Sequence, residues 1–340
     1  MKNSFFLKYL SLFSTILIAT FHFLSFKTGD RLIVVSKDGK GNFFTVQEAV
    51  NAVENASSRR TKILIKPGVY KEKIIIPETK GAILLEGESP EKTLITFDDF
   101  ASRKNPEGKN IGTTGSATVF IYADNFTAKN ISFENSAGRV GQAVAVLTTG
   151  DKIAFQNCRF LGNQDTLYLK GAQDLTDKSK PSRSYFQNCY IEGTTDYIFG
   201  AGTAVFEDCT IYSKETASYI TAASTPKENS LGFVFINCQI AGNAKERSVY
   251  LGRPWRPFAK TVYINCELSS LIKPEGWHNW DKPDAEKTTF YAEFKSKGAG
   301  ADKSKRAGWS HQLTQAEAKK YTPENILGEK DNWNPRKILK

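Results

Sequence analysis

From Val34 onward, short runs of β-branched and aromatic residues are separated by clusters of Gly, Asn, Asp and Pro. Residues 62–65, 73–76, 82–85 and 118–122 are such runs, and they predict short strands. One helix signal stands out. Thr45-Val-Gln-Glu48 has the spacing of a capping box, with Ala49, Val50 and Val53 following at helical intervals. The remainder of the chain reads mostly as strands.

One pattern recurs. Phe155-Gln-Asn-Cys158-Arg-Phe160, Phe186-Gln-Asn-Cys189-Tyr-Ile191 and Phe206-Glu-Asp-Cys209-Thr-Ile211 share it. It returns as Phe235-Ile-Asn-Cys238-Gln-Ile240 and Tyr263-Ile-Asn-Cys266-Glu-Leu268, with Phe133-Glu-Asn-Ser136 read as an earlier variant. The steps between equivalent positions are 22, 31, 20, 29 and 28 residues, in the range of a solenoid repeat. Aromatic and Cys lie three apart, which strict strand alternation does not allow. A bend is therefore predicted near the Asn, a residue that tolerates turn geometry. Strand, bend and strand, stacked copy on copy, give a parallel β-helix: one elongated all-β domain with a short N-terminal helix and long loops. The cysteines would form an internal column of free buried thiols. A disulfide between neighbouring coils, such as Cys209–Cys238, and chance recurrence in a β-sandwich are the alternatives.

The repeat register locates a candidate site. Counting six and seven residues beyond each column position leads from Ser136 to Gln142 and Ala143, from Cys158 to Gln164 and Asp165, and from Cys189 to Thr195 and Asp196. Coils stacked in register would set Asp165 and Asp196 roughly 5 Å apart, with Gln142 and Gln164 stacked beside them. Two carboxylates at that separation repel, so one holds a proton while the other ionises, which supplies an acid and a nucleophile together. The plain alternative is two Asp residues in exposed turns. The apolar runs after them, Thr166-Leu-Tyr-Leu169 and Tyr197-Ile-Phe199, argue instead for a partly buried face. Tyr168 and Phe199 in those runs, with Trp255, are candidate substrate contacts. In Tyr250-Leu-Gly-Arg-Pro-Trp255, Arg253 has the chemistry to hold an anionic Asp bidentately, and Trp255 to stack on a sugar face. A structural Arg–Asp pair with a packed Trp is the alternative. Trp277, with Trp280, is a further groove candidate, against simple core or loop packing.

Composition narrows the class. The 340 residues are 40% hydrophobic and 24% charged, which excludes a disordered chain and a polytopic membrane protein. Lys2 and Lys8 flank the start of an apolar stretch over residues 9–26 that contains no acid, the form of a secretory signal peptide. An uncleaved membrane anchor is the alternative. The formal net charge is +10, and loss of residues 1–26 with their two lysines leaves +8. A secreted basic protein suits a polyanionic partner; solvated surface charge is the bland reading. Neither a zinc finger nor an RNP motif points to nucleic acid. G-x-S-x-G, P-loop, G-x-G-x-x-G and H-E-x-x-H motifs are missing, and with only His22, His278 and His311 a Ser–His–Asp triad is disfavoured.

Five motifs occur in order: Gly68-Val-Tyr-Lys-Glu72, Gln142-Ala-Val-Ala-Val146, Gln164-Asp-Thr-Leu167, Asp196-Tyr-Ile-Phe-Gly200 and Leu251-Gly-Arg-Pro-Trp255. Together they resemble the pectin methylesterases (pectinesterases, carbohydrate esterase family 8) over residues 32–335. The resemblance implies a right-handed parallel β-helix of the pectin-lyase-like kind, a single catalytic domain over residues 30–335, and hydrolysis of methyl esters on polygalacturonate. It implies Asp196 as nucleophile and Asp165 as acid and then base. Gln142 and Gln164 would be oxyanion donors, Arg253 the orienting group for Asp196, and Trp255 a groove residue. No metal or cofactor is implied. The partner is methylesterified homogalacturonan and not nucleic acid, and the protein is expected as a secreted monomer, extracellular or periplasmic, with no membrane span once the signal is removed. Ala201-Gly-Thr203 and Ile220-Thr-Ala-Ala-Ser-Thr225 depart from the common plant pattern, and no inhibitor-like pro-region is present. These features resemble bacterial members. On the residues alone, two readings compete with the esterase: a polysaccharide-cleaving enzyme on the same scaffold, since two close carboxylates also suit a retaining glycosidase, and a non-catalytic polyuronate-binding solenoid.

Overall fold

A computed structural model describes residues 29–171 and 180–340. The proposed signal segment, residues 1–26, lies outside them. Three parallel sheets of eleven, seven and eight strands run the length of the molecule. Each central coil adds one strand to each sheet, and the terminal coils extend chiefly the eleven-stranded one. The coil carrying Asp165 contributes Ile153–Gln156, Arg159–Leu161 and Leu167–Leu169; the next contributes Arg183–Gln187, Tyr190–Gly193 and Thr195–Gly200. Matching strands of successive coils pair in parallel register, as in Phe155 with Phe186 and Leu167 with Ile198. This is the parallel β-helix expected from the repeat, the architecture that the family resemblance also implies.

The predicted bend is real, and its cause is conformational. Asn130, Asn157, Asn188, Asp208, Asn237 and Asn265 all adopt left-handed backbone, with φ between 52° and 57°. Asn and Asp reach that region at least cost among residues with a Cβ. Their side chains also form a ladder, with Asn157 Nδ2 donating to Asn130 Oδ1 at 2.7 Å. Inside, Phe155, Phe186, Phe206, Phe235 and Tyr263 stack face to face at 4.5–4.9 Å. The five cysteines are buried and free. Each thiol lies within hydrogen-bonding distance of a backbone carbonyl of the preceding coil, as Cys209 Sγ does with Phe186 O at 3.5 Å. The Cys209–Cys238 disulfide is not formed.

Residues 133–136 imitate the repeat but stand out of its register. Phe133 pairs with Phe160, not with Phe155, whose true counterpart is Ala128. The bend Asn of that coil is Asn130, so the column position is Ile131, 27 residues before Cys158. Asn135 does other work: its amide donates to the carbonyls of Asp99, Ser116 and Val144 and pins the loop that precedes the site. Gln142 nevertheless bridges Gln164, because residues 136–141 make up the difference.

The capping box is present in helix Val46–Asn51, which buries Val46, Ala49 and Val50 at the N-terminal end of the solenoid. Besides the one-turn helix Gly112–Gly115, three helices near the C-terminus, Gln315–Ala318, Pro323–Gly328 and Pro335–Leu339, escaped the sequence reading. Thr314-x-x-Glu317 is itself a capping box and marked the first of them. They pack on the outer face of the eleven-stranded sheet, where Leu327, Trp333 and Leu339 bury against Tyr185 and Val205. Arg183 fixes them: it bonds Asp151 within the solenoid, and Leu327 O (2.6 Å) and Asp331 (2.8 Å) beyond it. Arg336 returns the contact to Glu207. Among the described residues no helix is long and apolar enough to cross a membrane.

Arg183, assisted by Lys152, holds the Asp331 carboxyl far below the usual carboxylate range. A carboxylate depressed by folding contributes stability above its unfolded value of about 4, and loses it as pH falls toward the folded value. The melting temperature is therefore expected to drop more steeply below about pH 4 in the parent than in Asp331→Asn. Parallel acid slopes in a thermal melt series would contradict this clasp.

Candidate active site

The site lies on the outer face of the seven-stranded sheet. Gln164 and Asp165 precede strand Leu167–Leu169, and Asp196 is the second residue of strand Thr195–Gly200. Register brings them together: the Leu167–Ile198 pairing sets Asp165 against Asp196, and Asp165 N donates to Thr195 O at 3.1 Å. Both Asp residues adopt left-handed backbone, with φ of 66° and 50°. On the other side of Asp196 the pairing slips. Thr195 pairs with Tyr219 but Ile198 with Thr221, leaving one extra residue on the Asp196 strand. Such a bulge re-aims a side chain.

Two glycines of the motifs have steric reasons. A Cβ on Gly200, at φ +121°, would meet Leu169 O at 2.0 Å; one on Gly252 would meet Thr221 Oγ1 at 2.1 Å. The second close approach lets strand Tyr250–Pro254 pack beside Tyr219–Ala223 and deliver Arg253. Arg253 Nε and Nη2 donate to Asp196 Oδ1 and Oδ2 at 2.9 and 2.7 Å, the bidentate contact expected from the sequence.

Burial sets the electrostatics. Asp165 is 8% exposed and Asp196 6%. Burial pushes the Asp165 carboxyl well up, and the Asp196 charge pushes it further, against a smaller pull from Arg253. Burial also raises Asp196, but less far, because the hydrogen bonds and charge of Arg253 pull against it. The pair therefore keeps its proton on Asp165 and its negative charge on Asp196. Gln142 and Gln164 line the cleft, and among the described residues their side-chain amides have no hydrogen-bond partner, which leaves them free to donate. Neutral amides stabilise a developing oxyanion without competing for the proton.

The cleft above these groups measures about 650 Å³. Tyr168 and Phe199 stack at 4.1 Å along its floor, with Trp255 tilted 6.3 and 5.9 Å from them. Tyr168, Phe199 and Trp255 thus line the cleft. Trp277 does not. It is 2% exposed, packs on Tyr291 at 4.6 Å and belongs to the solenoid core. The cleft residue of that segment is Trp280. The step from 277 to 280 crosses a turn with positive φ at Trp280, which carries the second ring outward. The sequence reading also missed the wall formed by Ile111–Thr114 and the cations Lys170 and Arg256. No repeat or motif marked the wall, most of which is the one-turn helix Gly112–Gly115, a helix with no side-chain cap and no buried face.

A parallel solenoid with a buried, guanidinium-held carboxylate pair, free amide donors and an aromatic cleft defines a class of carbohydrate-active β-helix enzymes. Within that class, the chain belongs to the pectinesterase family, whose family model matches residues 32–330. It is 39% identical over 294 residues to pectinesterase 31 of Arabidopsis thaliana, covering 85% of this chain and 89% of that one. It is likewise 39% identical over 315 residues to pectinesterase QRT1 of the same plant, covering 89% and 78%. Among solved structures, the pectin methylesterase from carrot superposes with a TM-score of 0.80 at 33% identity, covering 92% of this chain and 98% of that one. Pectin methylesterase PemA from Erwinia chrysanthemi gives 0.74 at 30%, covering 90% and 98%.

The electrostatic arrangement has a signed consequence. With one proton shared by the pair, the acid limb of a pH–rate profile is expected to follow ionisation of Asp196 and the alkaline limb loss of the Asp165 proton. Arg253→Gln removes the pull on Asp196. The acid limb of kcat/KM is expected to move up by about one to two pH units. An unmoved limb would show that Arg253 does not govern the ionisation that activity requires.

Proposed function

We propose that this chain hydrolyses the methyl esters of pectin at this cleft, with Asp196 as nucleophile and Asp165 as acid and base. The observation that carries the reading is the unequal pair: one carboxylate held ionised by Arg253 beside one that burial and its neighbour keep protonated.

An oxygen of Asp196 attacks the C6 carbonyl carbon of a methylated galacturonate unit. The carbonyl electrons move onto oxygen, and the Gln142 and Gln164 amides donate to it. As the intermediate collapses, the bond to the methoxy oxygen breaks and the Asp165 carboxyl gives that oxygen its proton, releasing methanol. The acyl group remains on Asp196 as an anhydride. Asp165, now a carboxylate, removes a proton from water. The resulting hydroxide attacks the acyl carbon, Asp196 departs as a carboxylate, and the free uronic acid ionises into solvent. Asp165 ends protonated, as it began. Atoms and electrons balance with these side chains alone, and no metal or cofactor is required.

The basic start and apolar stretch over residues 9–26 support export, which would place the enzyme outside the cytoplasm with its polymeric substrate. The +8 charge left after their removal favours approach to a polyanion. A monomer satisfies the mechanism, because every named group comes from one chain.

Methylated pectin incubated with the enzyme is expected to release methanol with no new reducing ends and no unsaturated product. Asp196→Ala should lower the rate at least about 1,000-fold, and Gln164→Ala about 100-fold. New reducing ends lost on the same substitution would instead assign a glycosidase. Pectin binding without turnover, indifferent to Asp196→Ala, would assign a non-catalytic solenoid.

A further inference from the structure

Arg253 does not stand free beside Asp196. Its guanidinium carbon lies 3.8 Å from the ring centroid of Tyr219 and 3.6 Å from that of Trp280. The cation is thus pressed between two aromatic faces. Behind Tyr219 the stack continues to Tyr250 at 5.4 Å, nearly parallel, and the His278 ring closes against both. Trp280 is itself held: its backbone N–H donates to His278 Nδ1 at 3.0 Å, in the turn where Trp280 has φ 59°.

We propose that Tyr219 and Trp280 are positioning residues for the esterase reaction, clamping Arg253 between their rings so that only its edge is presented to Asp196. The reading rests on Asp196 as the nucleophile.

The physical argument concerns freedom. A bidentate guanidinium–carboxylate contact needs the two groups nearly coplanar. An arginine has several rotatable bonds, and in an open cleft it would sample many orientations and meet water on both faces. Rings above and below remove those faces. They also attract the cation through their quadrupoles, more strongly where water is excluded. What remains is the edge bearing Nε and Nη2, which is the edge bonded to Asp196. Tyr219 begins the strand whose pairing slips beside Asp196, so the bulge that aims the carboxylate and the ring that aims the guanidinium share one backbone irregularity.

The two rings differ in a way that makes the proposal testable. Trp280 lines the cleft and is available to substrate, whereas Tyr219 does not line it. A change at Tyr219 therefore reports on Arg253 without removing a substrate contact. Tyr219→Leu is expected to lower kcat about ten-fold, leave KM nearly unchanged and shift the acid limb of kcat/KM upward. Tyr219→Phe keeps the ring and should restore both. In an Arg253→Gln background, Tyr219→Leu should add nothing, since the two act as one unit. A Tyr219→Leu enzyme with a lower melting temperature but the parent kcat and acid limb would overturn the clamp and leave Tyr219 a packing residue. If Tyr219→Leu does not fold, Trp280→Leu must show the same acid-limb shift and Trp280→Phe must reverse it; an unshifted limb there overturns the proposal equally. Asp196→Asn is assayed alongside. Ordinary activity in that variant rejects the nucleophile assignment, whereas an inactive Asp196→Asn beside a parent-like Tyr219→Leu rejects the clamp alone.

Discussion

Coil-to-coil register is the constraint from which the site follows. Asp165 and Asp196 are 31 residues apart in sequence, and only parallel pairing of their coils makes them neighbours. The spacing of paired strands, about 4.8 Å, fixes how close they come. At that separation and burial, two negative charges cannot coexist, so the fold dictates one proton for two carboxylates. Arg253 arrives from two coils further along and contacts Asp196, not Asp165. That asymmetry decides which carboxylate is anion and which is acid. Backbone geometry thereby becomes a division of chemical labour.

The site uses the same local conformation as the scaffold, for a different end. Asn157 and Asn188 adopt left-handed backbone to turn a corner, and each repeats on the next coil as a ladder. Asp165 and Asp196 adopt it too, but their side chains line one cleft, where the charge of one raises the other. Short polar side chains are tolerated in that region, and a carboxylate differs from an amide only in its chemistry. A solenoid can thus convert a structural bend into a reactive one with little change to its coil. The bulge beside Asp196 supplies the rest, since it breaks the alternation that would otherwise return the strand to ordinary packing.

Legibility in the sequence followed regularity. The Asn bend, the aromatic stack and the thiol column were readable because they recur, and each copy checks the others. The Asp pair was readable because it lies a fixed distance beyond two true copies. The earlier variant failed for an instructive reason: Phe133 and Asn135 imitate the pattern in letters, whereas Asn135 is a loop pin with three carbonyl partners. Backbone conformation, not residue identity, distinguishes the two kinds of Asn. Trp277 and Trp280 could not be told apart, because their fates depend on a positive-φ turn that no periodicity announces. The wall at Ile111–Thr114 and the sandwich around Arg253 join segments of unrelated sequence, and a one-dimensional pattern carries no sign of such meetings.

A site of this kind is costly to the fold. Two buried carboxyls, two left-handed non-glycine residues and a bulge fall within two adjacent coils. In a solenoid each coil contacts chiefly its neighbours, so the cost has to be offset close by. The offset is found on the opposite side of the same coils. Phe155 and Phe186 stack in their interior, and Arg183 is bonded to Asp151 on their outer face. The C-terminal helices then span those coils from outside: Pro323–Gly328 packs on Arg183–Gln187 and Thr203–Glu207, and Pro335–Leu339 on Ile153–Gln156. Lys129 from the preceding coil donates to Leu339 O at 2.8 Å, carrying the clasp one step further. A segment outside the cleft thus bridges the two coils whose relative register brings the Asp pair together. The helices Pro323–Gly328 and Pro335–Leu339 act as a brace across the coils that carry the Asp pair.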